Sequence, residues 1–117
     1  PESWLKLQNV DFAFYEALHL HFFSNYFVNT NDDYTELFTL EYITRFKSYP
    51  SLERFSFQGY DITRYFLEML IHNFDSKKVS FQPLSYDFEF EKEGENGFEN
   101  IKSRLISFKN YEFVEVK

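Results

Sequence analysis

Residues 85–91 read Ser85-Tyr86-Asp87-Phe88-Glu89-Phe90-Glu91. Aromatic and acidic side chains alternate with a period of two, the spacing of a strand that turns one face to a core and the other to water. Phe88 and Phe90 are expected to point inward, and Glu89 and Glu91 outward. Glu93-Gly94-Glu95-Asn96-Gly97 follows as a hairpin turn, and Asn100 to Phe108 as the returning strand. Lys109-Asn110 is read as a two-residue turn and Tyr111 to Val116 as a third strand. Residues 85–92, 100–108 and 111–116 together predict one antiparallel meander.

Upstream of this meander the period lengthens. In residues 57–73, Ile62, Tyr65-Phe66, Met69-Leu70 and Asn73 recur at three- and four-residue spacing, which predicts a helix. Asp61 is expected in its first turn, where a negative charge suits the helix dipole. Gly59 is expected to permit a close backbone approach, since a helix-interior glycine otherwise weakens the helix. A second helix, with a stripe consistent with one buried face, is predicted from Tyr34 to about Lys47. Asp33 and Glu36 form a capping-box-like start, and Pro50 supplies the stop. Residues 11–18 suit a short helix capped by Asp11, and residues 19–28 a buried strand that ends near Phe23 with an extended continuation. The fold class expected is α+β: two main helices followed by a C-terminal antiparallel β-meander. Residues 1–117 are read as a single domain or a domain fragment.

Composition narrows the function. The 44% apolar content supports a folded core, and the net charge of −7 disfavours nucleic-acid and anionic-membrane binding. The only basic cluster is the Lys77-Lys78 pair, read as part of a solvated loop. No apolar run approaches the roughly 20 residues that a membrane span needs. The sequence opens on Pro1 rather than Met, which reads as a processed or excised chain. It contains no cysteine, which removes disulfides, thiolate metal sites and thiol catalysis. The 17 Phe and 9 Tyr are read first as a Phe-rich core, with the alternative that some of these rings cover an interface.

The candidate chemical motifs resolve into structural ones. His19 and His21 fall on one face of a predicted strand but lack a third ligand at metal spacing. Asn29, Asn31 and Asp33 open like a calcium loop, yet Tyr34 and Leu40 stand where that loop requires Gly and a bidentate Glu. The run Glu89, Glu91, Glu93 and Glu95 occupies the polar side of an alternating strand, where a solvated face is expected. With three glycines and no nucleophile elbow, neither a phosphate-cradling loop nor a catalytic constellation is visible. No enzyme activity, metal or cofactor is expected.

Phe57-Gln58-Gly59-Tyr60-Asp61, followed by Tyr65-Phe66-Leu67, resembles a stretch of type I periplasmic-binding-protein-like domains. Trp4 and Asp11 before a helix fit the same order. So do Phe22 to Val28 as a strand exit, Phe38 to Phe46 before Pro50-Ser51, and the hairpin Gly97-Phe98-Glu99-Asn100. The group includes envelope proteins that join a peptidoglycan-binding LysM module to a receptor-like domain and are often labelled amino-acid transport substrate-binding proteins. The resemblance covers the chain as a C-terminal portion of such a domain. It implies a cell-envelope or periplasmic location and a small-molecule solute held between two lobes. Helices 34–48 and 57–73 would pack on one lobe and the meander on the other. Ser24, Tyr26 and Tyr60 would be the ligand-side positions, with Gly59, Asp61, Gly97 and Asn100 as structural motif residues. A structural or assembly role without a ligand is the alternative, and the isolated chain is expected to self-associate. A polar, concave pocket near Tyr60 would favour solute binding, and a flat aromatic patch would favour assembly.

Overall fold

The computed structural model describes residues 11–52 and 55–117. Its elements run α1 (Phe12–Ala17), β1 (His21–Ser24), α2 (Asp33–Phe46), α3 (Phe55–Ile71), a 3-10 turn (Ser76–Lys78), β2 (Phe90–Glu93), β3 (Gly97–Asn100), β4 (Arg104–Lys109) and β5 (Glu112–Glu115). Helices beside antiparallel strands make this an α+β fold. Trp4 lies outside the described residues.

Local chemistry explains most boundaries. The Asp11 side chain accepts from the Ala13 N–H at 3.0 Å and caps α1. Asp32, not Asp33, caps α2 by accepting from the Tyr34 N–H at 3.1 Å, so the helix starts one residue earlier than expected. Lys47, in the left-handed region, ends α2 three residues before Pro50. Helix α3 begins at Phe55 and closes with a Schellman motif. Phe74 N–H donates to the Met69 carbonyl at 2.6 Å and Asn73 N–H to the Leu70 carbonyl at 3.2 Å, with Asn73 at φ 52°.

The strands divide into two sheets rather than the single meander expected. One is the hairpin β2–β3, paired from Phe90 with Asn100 to Glu93 with Gly97. A Cβ at Gly97 would lie 3.1 Å from the Glu93 carbonyl oxygen, so glycine lets this hairpin close. The other sheet has the order β1-β4-β5, all antiparallel. Its central strand β4 pairs with β1, more than eighty residues earlier, and not with β3. Residues 84–89 form no ladder, because Asp61 takes the backbone N–H groups of residues 84–86. The expected turn at Lys109-Asn110 falls instead at Asn110-Tyr111, with both residues at positive φ (52° and 66°), the geometry of a type I′ hairpin.

Three aromatic clusters hold these pieces. Tyr15 of α1 meets Phe108 of β4 edge-on at 5.4 Å, and Phe113 of β5 lies 5.0 Å from Phe108 and 5.9 Å from Phe22. Ile106 and Phe108 are buried at this seam. In the second cluster Tyr65 of α3 stacks on Phe88 at 4.3 Å and reaches Phe90 at 5.8 Å; in the third, Phe57 of α3 meets Phe38 of α2 at 5.0 Å. Glu89 and Glu91 are exposed as expected; Phe88 is half-buried, and Phe90 remains 39% exposed. The whole is a slab of 49 × 41 × 21 Å with a radius of gyration of 16.3 Å. A compact chain of this length would have about 13 Å, so much apolar surface stays at the faces of the slab.

Candidate functional site

Ser24, Tyr26 and Tyr60 serve the scaffold where they stand. Ser24 is buried at the end of β1; its hydroxyl donates to the Tyr26 carbonyl at 2.7 Å and accepts from the Tyr26 N–H at 3.2 Å. This hydroxyl turn redirects the chain out of the sheet. The Tyr26 hydroxyl donates to the Leu52 carbonyl at 2.7 Å, tying the exit of β1 to the α2–α3 connection. Tyr60 packs its ring on Phe38 at 5.1 Å. None of the three lines either of the two cavities described below.

The motif residues divide sharply. Asp61 stands seven residues into α3, not in its first turn, and is fully buried. Its Oδ1 accepts from the Leu84 N–H at 2.8 Å. Its Oδ2 accepts from the Ser85 N–H (2.7 Å), the Ser85 hydroxyl (2.7 Å) and the Tyr86 N–H (2.8 Å). Four donors converge on one carboxylate and replace its hydration shell. Asn100 plays the corresponding role for the hairpin: Oδ1 accepts from the Glu89 and Lys102 N–H groups, and Nδ2 donates to the Asp87 carbonyl. Gly59 contradicts its expected role, since nothing lies within 4 Å of where its Cβ would be.

The candidate metal motifs are used locally. His19 sits at φ 47° outside β1, so it does not share a strand face with His21, whose ring bonds to the His19 carbonyl. Asn29 caps the Asn31 N–H at 3.1 Å, and Asn31 reaches Glu112 at 3.2 Å. Among the described residues, no group of three or more His, Asp or Glu is placed to hold a metal ion.

Two cavities occur beside the Asp61-held loop. One, of about 310 Å³, lies between Tyr65, Phe88, Phe90 and Lys77. Burial raises the Tyr65 hydroxyl above its ordinary pKa of 10.0. The other, of about 230 Å³, gathers Arg104, Lys117, Asp32, Asp87 and Glu115 around Gln82. Arg104 donates to the Phe27 carbonyl at 3.2 Å, and Gln82 donates to Asp32 at 3.3 Å.

The outer face of α3 is the larger feature. Its ionisable side chains lie on the inner and flanking sides: Asp61 is buried, Glu68 has a side chain only 16% exposed, and Arg64 and His72 both pair with Glu68. The opposite side carries Phe55, Ile62, Phe66, Leu67 and Leu70, all exposed. Gly59 and Thr63 complete that side, which holds no charged residue. An ordinary surface helix has the reverse arrangement. The spacing of Ile62, Tyr65-Phe66 and Met69-Leu70 predicts the helix without saying which of its sides is buried. A signal was available in the separate stripes formed by Asp61, Arg64 and Glu68 and by Gly59, Ile62, Phe66 and Leu70.

Compared with known protein families, curated proteins and solved structures, the chain gives no match. Among the described residues, no helix is long and apolar enough to cross a membrane.

Proposed function

We propose that this chain is a non-catalytic protein-interaction module whose working surface is the outer face of α3. The observation that carries the reading is the charge-free, exposed apolar stripe of α3, set against buried and paired charges on its inner side. Contiguous apolar surface of this extent marks association surfaces in folded proteins. The flat outline leaves that surface open, and Tyr60 packs on Phe38 without lining either described cavity. These features support assembly over solute capture between lobes. Envelope location and descent from a receptor-like domain rest on the resemblance of Phe57 to Asp61 and the segments around it.

The test is titration of the dilute chain with an apolar fluorescent dye. The wild type should bind dye, and Phe66→Glu with Leu70→Glu should abolish the signal while the helical circular dichroism is unchanged. Absence of dye binding, or indifference to the substitutions, would count against the reading.

A second reading, binding of a small polar solute, is favoured by the 230 Å³ cavity with Arg104 and Lys117 facing Asp32, Asp87 and Glu115. Such a site would suit a molecule bearing both charge signs. Calorimetry with a panel of small zwitterions would test it, with Arg104→Gln as the variant expected to remove any heat.

A further inference from the structure

We infer that the partner of the α3 outer face is a second copy of this chain, docked about a two-fold axis with the two helices antiparallel; this rests on the interaction-module reading above. Three observations converge. The first is area. Phe55, Ile62, Phe66, Leu67 and Leu70 are 37–86% exposed. At 150–250 Å² for a whole aromatic side chain they leave on the order of 500 Å² in solvent. A standard interface buries about 800 Å² per partner, so this stripe supplies more than half of one and its rim the remainder.

The second is Gly59. An interior helix glycine costs stability relative to alanine, and here no neighbour in the same chain requires it, because the space beyond its Cα is open. Gly59 lies one turn from Ile62 and Thr63 on the apolar stripe. A two-fold antiparallel pairing sets Leu70 and Phe66 of one copy against Gly59 and Thr63 of the other, large side chains over small ones. A stripe can meet itself in this way only under two-fold symmetry.

The third is charge. The chain carries a net charge of −7, so two copies repel unless they meet through surface without charge. The outer face of α3 supplies such a surface. Repulsion from the remaining carboxylates is screened beyond about 8 Å at physiological salt. A partner recruited by charge would need basic surface to meet this acidic protein, and the stripe offers nothing for it to pair with.

Sedimentation velocity of the full chain across the micromolar range, at low and high salt, tests the inference. A dimer is expected, tightening as salt rises. Phe66→Glu with Leu70→Glu should weaken dimerisation by about a hundredfold or more, the loss expected for charges placed at the centre of an apolar interface. Gly59→Gln keeps the helix and should also weaken the dimer, because its side chain blocks the close approach. A dimer indifferent to all three substitutions overturns the inference. A monomer that binds apolar dye through α3 overturns the second copy as partner and leaves the interaction module standing. A monomer that binds no dye removes both.

Discussion

Ser85 binds the Asp61 carboxylate twice, through its backbone N–H and through its hydroxyl, each at 2.7 Å. This pair fixes the middle of α3 to the segment that leads into β2. It also turns α3 over: the helix buries an acid on its inner side and leaves its apolar stripe outside. Asp61→Asn keeps the shape but offers one acceptor where two oxygens received four donors. The loss should be about 3 kcal/mol, from charge-assisted bonds removed and N–H groups stranded. Ser85→Ala removes one donor and should cost about 1 kcal/mol. Urea denaturation of both variants checks the ranking; equal effects would mean that the hydroxyl, and not the backbone N–H groups, dominates the clamp.

Asn100 should behave as a hinge pin for the β2–β3 hairpin. Asn100→Ala strands the Glu89 and Lys102 N–H groups and the Asp87 carbonyl. The expected outcome is faster amide exchange at residues 89–100, with residues 104–115 unaffected, because β4 and β5 belong to the other sheet.

The Asn110-Tyr111 turn gives a stabilising prediction. Tyr111 is held at φ 66° with its ring in solvent, a backbone region that costs a non-glycine residue roughly 1 kcal/mol. Tyr111→Gly should therefore raise stability by several tenths of a kcal/mol to about 1 kcal/mol. A fall in the denaturation midpoint would show that the ring makes a contact that matters.

Tyr65 supplies a pH dependence. Desolvation raises its hydroxyl above 10.0, so the folded state holds this proton more tightly than the unfolded chain does. The associated stability is fully present below pH 10 and is lost as pH rises through the unfolded value toward the folded one. Tyr65→Phe should flatten the stability curve on that alkaline side and remove phenolate absorbance that develops above pH 10.

The elements with local causes were legible in the sequence. Asp11 capped α1, the Asn-Asp turn opened α2, and Glu93 to Gly97 closed a hairpin. What the sequence hid depends on distant partners. The alternation of Tyr86, Phe88 and Phe90 looked like a long strand, but it reflects packing on Tyr65 while Asp61 occupies the backbone N–H groups of residues 84–86. The pairing of β4 with β1 crosses most of the chain, and no local period encodes it. Ser24, Tyr26 and Tyr60 were singled out only by the resemblance, as ligand-side positions, and their hydrogen-bond and ring partners lie in the scaffold. The apolar stripe of α3 was readable as a periodicity; which side faced outward depended on the buried Asp61.

The absence of cysteine allows that orientation to be measured directly. Thr63 stands within the outer stripe of α3 and Arg64 beside it on the charged flank, both exposed in the single chain. Thr63→Cys and Arg64→Cys each create one thiol, and the rate of its modification reports accessibility. The account predicts slow labelling of Cys at 63 in concentrated protein, becoming fast on dilution, with Cys at 64 labelling fast throughout. Equal, concentration-independent labelling at the two positions would contradict the claim that the outer face of α3 is an interface.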